Sequence, residues 1–475
     1  MKRGVAGLTL RILLFPVFAT IFSSCGTRSK ESSIIFTRVS TLTDSVNYLT
    51  GESWRYIPGC VICMFDPSKP GKKPVILTAD FISARSPEVS TDGKRMIFAG
   101  QMKESDPWQI WEMKLSNHKY SKVSAFDDNC TDPAYLPSDR IVFSRSAFND
   151  TTGLTHNLYT CNSDGSDVRR ITFHPHADFA PVVLADGRIL ELTRQVYPSV
   201  SEPMFYVLRP DGTKADTFYP SSIEGELTGK ATESIDGAIY YIQSDNGMLS
   251  SGNLCSLNQN RPLNSVKSII TEKGGNYLSV SSGRNGRLIV TCRPDGTDRF
   301  GLYELDPETN KLSGPFYSEK DYNVIEAVYA EEHPRQRKLP SEVDMQVMTG
   351  QIMCQDINIL GPATFKNNDK KAGIIEILGI GGSIGKVEVG EDGSFYLKPL
   401  ADMPFRIQTI DETGNVINGP SGWMWLRPNE RRGCVGCHED PELVPYNRVP
   451  VAVKNNPVGV PVHVNKIREK SVELE

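Results

Sequence analysis

Near the end of this 475-residue chain, Arg431-Arg432-Gly433-Cys434-Val435-Gly436-Cys437-His438-Glu439 sets two thiols three residues apart, with an imidazole directly after them. That spacing suits one chemistry above others. Two thiols on a single turn reach the two vinyl groups of one porphyrin, and the adjacent histidine swings under the ring as an iron ligand. With ten cysteines and seven histidines in the chain, composition alone produces only ~0.003 such arrangements. The motif predicts one covalently bound haem c on Cys434 and Cys437, with His438 as the metal ligand. A zinc site or a simple thiol pair competes with this reading. Zinc needs four ligands, and no second Cys/His pair lies nearby in sequence, although His463 offers one donor. His463, Met424 and Met403 are the nearest donors for the sixth position on the iron, and none is singled out.

Other chemistry-bearing residues are sparse. His174-Pro175-His176 has the composition of a metal site, but its surroundings read as a solvated loop, as do those of Asp127 and Asp128. No Ser-His-Asp set or paired carboxylates stand out, so no catalytic residue is assigned and catalysis is left open. Gly379-Ile380-Gly381-Gly382-Ser383-Ile384-Gly385 is glycine-rich, yet a β pattern follows it. A phosphate loop needs a helix N-terminus there. The net charge is −5, which argues against a nucleic-acid partner.

The N-terminus predicts export. Lys2 and Arg3 precede an apolar run from Leu8 to Phe22, which ends in Ser23-Ser24-Cys25-Gly26. Charge, apolar core and small residues make a signal peptide. A cysteine directly after them resembles the bacterial lipobox, which implies lipidation of Cys25. The expected location is the cell envelope, anchored to a lipid membrane; Gly26 is not a retention aspartate, so the outer membrane is preferred. Seven further cysteines (Cys60, Cys63, Cys130, Cys161, Cys255, Cys292 and Cys354) mostly sit in apolar strand-like runs and read as small buried hydrophobes. Cys60-Val61-Ile62-Cys63 lacks the following histidine, so it is a strand piece or a local disulfide rather than a second haem motif.

The elements that position the motif are β-strands. A unit of roughly 48 residues recurs: Ser86-Pro87-Glu88-Val89, Asp132-Pro133-Ala134-Tyr135 and Ala180-Pro181-Val182-Val183 open three copies. Asp92-Gly93, Asp186-Gly187 and Asp236-Gly237 supply the turns, because the central residues of tight hairpins need positive φ. Four antiparallel strands per unit make a propeller blade, and blades close into a ring. Six units are counted. The sixth starts near residue 324 and takes its missing strands from Ile34-Ile35-Phe36, Cys60 to Phe65, and Val75-Ile76-Leu77. Trp54, Trp108 and Trp111 either line a binding face or pack within blades, and packing is favoured. From residue 340 a different pattern begins. Val343 to Cys354 is expected to pair with Ile374 to Leu378, Lys386 to Val389 to form a hairpin with Phe395 to Leu397, and Phe405 to Ile410 another with the stretch to Val416. The chain is thus all-β: signal segment 1–25, tether 26–33, six-bladed propeller 34–335, a β-sandwich-like domain 340–425, and a C-terminal segment 426–475 with the haem motif.

Two family resemblances attach to these residues. Ser86-Pro87-Glu88-Val89-Ser90-Thr91-Asp92-Gly93-Lys94 resembles the blade opening of TolB-like propellers, which bind peptides or proteins on a ring face. Glu391-Asp392-Gly393-Ser394-Phe395, Pro404 to Gln408, Asp411-Glu412-x-Gly414, and Trp425-x-x-Pro428-x-Glu430-x-Arg432-x-Cys434-x-Gly436-Cys437-His438-Glu439 resemble the hydrazine synthase alpha subunit family. That resemblance implies a propeller, a middle β domain and c-type haem in one chain. The hydrazine-forming enzyme carries two haems per alpha subunit and needs partner subunits, whereas this chain has one C-x-x-C-H. Architecture and haem binding are therefore implied, and hydrazine synthesis is not. The functional expectation is an exported, lipid-anchored, c-type cytochrome-like protein that transfers electrons through its haem, with an unidentified redox or envelope partner docked at the propeller. The alternative is a TolB-like envelope lipoprotein acting as a protein-binding module, its C-x-x-C-H vestigial or metal-binding.

Overall fold

The computed structural model describes Met1 and residues 33–40, 56–69, 71–220, 225–244, 251–359, 371–436 and 447–461. Cys25 and the apolar run before it, Trp54, Cys437, His438 and His463 lie outside the described residues. Among the described residues there are strands and short 3-10 turns, and no α-helix. The all-β expectation therefore holds.

Six four-stranded blades follow one another. Blade I is Ser83–Val89, Arg95–Gln101, Gln109–Lys114 and Tyr120–Lys122. Blade II runs from Cys130–Tyr135 to Arg169–Arg170 and blade III from His176–Val183 to Asp216–Pro220; a single parallel bridge, His156 to Ala177, joins them into one eight-stranded sheet. Blade IV starts at Glu226–Glu233 and blade V at Asn276–Ser282. Blade VI mixes the ends of the ring. Asn323–Tyr329 pairs with Ile34–Val39, which pairs with Val61–Phe65 and then Val75–Ile76. One sheet built from both ends converts a linear repeat into a closed ring, as the pattern predicted.

The innermost strands share a device that the repeat encodes. Ser86, Asp132 and Ala180 each precede a proline and sit at φ 54, 49 and 49. The ladder slips at each of these points. Such a bulge leaves a backbone N–H pointing off the ladder, and neighbouring blades supply the acceptors. Asp132 accepts from the Ala180 amide at 3.0 Å and from Ser86 Oγ at 2.9 Å. Glu326 accepts from the Ser86 amide at 2.8 Å and from Thr37 Oγ1 at 3.1 Å, and it pairs with the buried Arg85. Trp108 is buried, and Trp111 packs edge-on against Phe81 and Tyr120, so both serve blade packing. Cys60, Cys63, Cys130, Cys161 and Cys292 are buried free thiols. Burial pushes Cys60, Cys130 and Cys292 up to about 12, which makes them unreactive.

After blade VI the chain crosses the ring rather than leaving it. Asp92 bridges Glu332, the Arg337 amide donates to the Ala185 carbonyl at 2.9 Å, and Asp211 accepts from the Glu342 amide at 2.7 Å. Gly93 and Gly187 make the crossing possible. A Cβ at Gly187 would fall 2.0 Å from the Arg337 carbonyl oxygen, and one at Gly93 would fall 2.6 Å from the Glu331 carbonyl carbon. Both also sit at positive φ, as their Asp-Gly turns require.

Beyond the crossing, two four-stranded sheets stack face to face. One is Arg431–Cys434, Gln351–Cys354, Phe395–Pro399 and Val458–Val460; the other is Gly382–Glu388, Ile374–Gly379, Arg406–Ile410 and Val416–Asn418. Ile352, Leu397, Ile375, Ile377, Phe405 and Leu426 fill the space between them. Two expected pairings are corrected here. Gln351–Cys354 pairs with Phe395–Pro399 and with Arg431–Cys434, not with Ile374–Gly379. Gly382–Glu388 and Phe395–Pro399 lie in different sheets, so Asp392-Gly393 turns an arch between sheets and not a hairpin. The glycine-rich stretch is the hairpin joining Ile374–Gly379 to Gly382–Glu388, with no helix after it.

Candidate functional site

The strand Arg431–Cys434 ends on the first cysteine of the motif, and an anchored segment leads into it. Residues 423–432 are seated on blade III by side chains of several kinds. Trp423 Nε1 donates to the Tyr197 carbonyl at 2.8 Å, and Arg427 Nε donates to the Asp211 carbonyl at 2.9 Å. Trp425 is fully buried in the seam of blades II and III, among Leu136, Val142, Leu158, Ile171 and Leu208. Glu430, also fully buried, accepts from the Lys214 amide at 2.8 Å, the Arg427 amide at 2.8 Å and Arg432 at 2.8 Å. Burial alone would lower the Arg432 guanidinium, but Glu430 and Asp216 outweigh it and the net direction is upward. Trp425, Glu430 and Arg432, noted in sequence as motif residues, are thus the seat that carries Cys434.

Cys434 itself is half-buried and packs at the edge of the sandwich core. Its carbonyl accepts from the Gln355 amide at 2.9 Å, and the Val435 carbonyl accepts from the Asp356 amide at 3.1 Å. A Cβ on neighbouring Gly433 would meet nothing within 4 Å, whereas one on Gly436 would fall 2.4 Å from the Ile359 carbonyl oxygen. The backbone is therefore fixed at Cys434. This described half of the motif fits attachment of a flat group at the strand end. Met424 packs against the sandwich core, as an ordinary core methionine does.

A second concavity is the channel of the ring, a cavity of about 590 Å³. Glu88, Lys230, Ser279 and Glu326 are among its lining, together with the crossing segment 331–336. Lys230 Nζ of blade IV reaches Glu88 of blade I at 2.6 Å, tying opposite sides of the ring together.

A third cluster was misplaced by sequence. His174, His176 and Asp178 lie in no solvated loop; all three are buried on blade III. The imidazoles stack with centroids 3.7 Å apart at 11°. Asp178 accepts from His174 Nε2 at 2.9 Å, Thr193 Oγ1 at 2.6 Å and Thr172 Oγ1 at 2.6 Å. Burial would raise this carboxyl, but His174, His176 and the Thr172 hydroxyl hold it below the ordinary range. Burial and then the His174 charge push the His176 imidazole well down. Glu191, fully buried on the adjacent strand, is pushed well up by burial and by Asp178. His176 and Asp178 share one face of the strand His176–Val183, and His174 lies in the buried bend that leads into it. Asp128, by contrast, is an ordinary surface partner of Arg145 at 2.6 Å.

Residues 319–439 match the family described as the hydrazine synthase alpha subunit middle domain. Hydrazine synthase subunit alpha of Kuenenia stuttgartiensis is 24% identical over 516 aligned positions, covering 81% of this chain and 63% of that protein. The chain thus spans under two thirds of that relative's length. The solved hydrazine synthase of Kuenenia stuttgartiensis superposes with a TM-score of 0.77 at 20% identity, over 89% of this chain and 71% of that one. TolB from Acinetobacter baumannii superposes with a TM-score of 0.44 at 16% identity, over 63% of this chain and 67% of that one. The expectation of a cytochrome-like electron carrier, with a TolB-like binding module as its alternative, is corrected by these matches, because the family that takes in the motif is that of a synthase subunit. From its crossing segment through its sandwich to its C-x-x-C-H, this chain is similar to the hydrazine synthase alpha subunit family.

Proposed function

We propose that this chain serves as an alpha-type subunit in an enzyme of the hydrazine-synthase kind, and that Cys434 and Cys437 hold one covalent haem c beside His438. One observation carries the reading. The matched segment, 319–439, runs from the last inner strand of the ring through all but the final strand of the sandwich and closes one residue past His438. The seat and the motif therefore belong to one unit. A haem held there supplies one-electron redox chemistry at an iron. The chain's own residues do the placing: Trp423, Trp425 and Arg427 fix the sandwich on blade III, Glu430 and Arg432 steady the strand, and Cys434 ends it. In this reading Cys25 is acylated and holds the protein at the outer membrane within the cell envelope, and the propeller offers its surface to partner subunits.

The test is expression of the full chain with its leader in a host that matures c-type haem. The expected product keeps its haem on a denaturing gel, loses it in Cys434→Ser/Cys437→Ser, and binds carbon monoxide when reduced, because an enzyme site keeps a coordination position open. A haem that refuses carbon monoxide contradicts the synthase-type role.

A further inference from the structure

We infer that His174, His176, Asp178 and Glu191 form a closed structural site for one divalent cation of the zinc class, buried in blade III beneath the seat of the sandwich. The proposal is independent of the haem reading. One donor atom from each of His174, His176 and Asp178 lies within 4.8 Å of the others, which is the spread a single ion can draw together. Glu191 joins them through strand geometry. Thr193 Oγ1 touches both His176 Nδ1, at 3.0 Å, and Asp178 Oδ1, at 2.6 Å. Glu191 stands two residues from Thr193 on the same strand, so its carboxylate projects from the same face.

A second observation points to a ligand. His174 Nδ1, His176 Nε2 and both carboxylate oxygens of Glu191 are buried without a hydrogen-bond partner. Native interiors leave few such atoms, and here His176 Nε2 and the two Glu191 oxygens lack partners on adjacent strands of one blade. Glu191 is 1% exposed, and a carboxylate that deep is otherwise paired or bound to metal. Two imidazoles and two carboxylates are a donor set for tetrahedral zinc, and four protein ligands with no open position define a structural site. The outer layer is already in place: Thr172 and Thr193 orient Asp178 by hydrogen bonds of 2.6 Å each. On binding, the ion displaces the proton that His174 Nε2 donates to Asp178, and the imidazole binds as the neutral tautomer protonated on Nδ1.

Placement supplies the purpose. The His174 ring meets the Trp425 indole edge-on at 4.7 Å, and Tyr206 stands 5.6 Å from His174. An ion here would stiffen the floor on which Trp425 sits, and with it the approach to Cys434.

The test uses the full chain carrying Cys434→Ser/Cys437→Ser, so that the C-terminal thiols hold no metal. After dialysis against a chelator, cobalt(II) is titrated in and followed by absorption, and bound metal is counted by elemental analysis. The expected result is one cobalt per chain with the intense visible bands of tetrahedral coordination, bleached by zinc. His176→Ala should abolish the bands, and the isosteric Glu191→Gln should weaken binding at least tenfold while the far-ultraviolet spectrum stays β-type. A chain that takes up no cobalt, or a His176→Ala or Glu191→Gln chain that binds it unchanged, overturns the proposal. The cobalt titration of the intact site decides the matter even if a variant fails to fold.

Discussion

The backbone amide of Lys214, in blade III, donates to Oε1 of Glu430 at 2.8 Å, 216 residues further along the chain. This bond joins the propeller to the strand that ends on Cys434. The same carboxylate also neutralises Arg432, at 2.8 Å. Glu430→Ala would leave a buried guanidinium without its counter-charge, at a cost of about 3–5 kcal/mol. Glu430→Gln keeps the acceptor and should cost less. Thermal unfolding measures the difference; equal midpoints for wild type and Glu430→Ala would show that the seat does not depend on this residue.

Acid should loosen the crossing segment. Asp211 accepts from the Glu342 amide at 2.7 Å, Ser341 Oγ at 3.0 Å and Thr213 Oγ1 at 2.7 Å. Burial would raise its carboxyl, but these donors win and its pKa is lowered from the ordinary value. A carboxylate depressed in the folded state contributes stability that is complete above its unfolded pKa, about 4, and is lost as pH falls below it. Arg209 and Lys214 also face this segment through Glu342, at 2.9 and 3.6 Å. Hydrogen exchange of the Glu342 amide, compared at pH 6 and pH 3 after correction for intrinsic rates, should show protection lost at the lower pH. Asp211→Asn should flatten that dependence, and an unchanged pH response in the variant would count against Asp211 as its source.

Ring closure rests on Glu326. It binds Thr37 of the N-terminal strand, the Ser86 amide, and Arg85, which is 2% exposed. Glu326→Ala should cost about 2–3 kcal/mol, less than a fully buried pair because the carboxylate is partly exposed. The loss should centre on blade VI, so proteolysis should release the N-terminal strand first. Cleavage elsewhere at unchanged rate in blade VI would contradict that role.

Much of this was legible in the sequence. Asp92-Gly93 and Asp186-Gly187 mark the blades because only a few residue types accept positive φ, so turn chemistry survives where strand residues drift. The N-terminal strands of blade VI were legible because the last repeat stopped short and an unpaired edge must be filled. The sandwich was less legible. Alternation shows which residues of Gln351–Cys354 face inward, but not which of two sheets the strand joins. His174 and His176 were misjudged because the intervening Pro175 and polar composition suggest a loop. Only the tertiary contact with Trp425 and Tyr206 shows that they are covered. The role of Glu430 was hidden for the same reason, since its partner Lys214 is remote in sequence.

The most direct measurement is the intact mass of the mature chain purified from a host that matures c-type haem. A mass equal to the processed, acylated polypeptide plus one haem, with the increment absent from Cys434→Ser/Cys437→Ser, is the expected result. A mature chain carrying no tetrapyrrole mass would contradict the assignment of Cys434, Cys437 and His438 as a haem site.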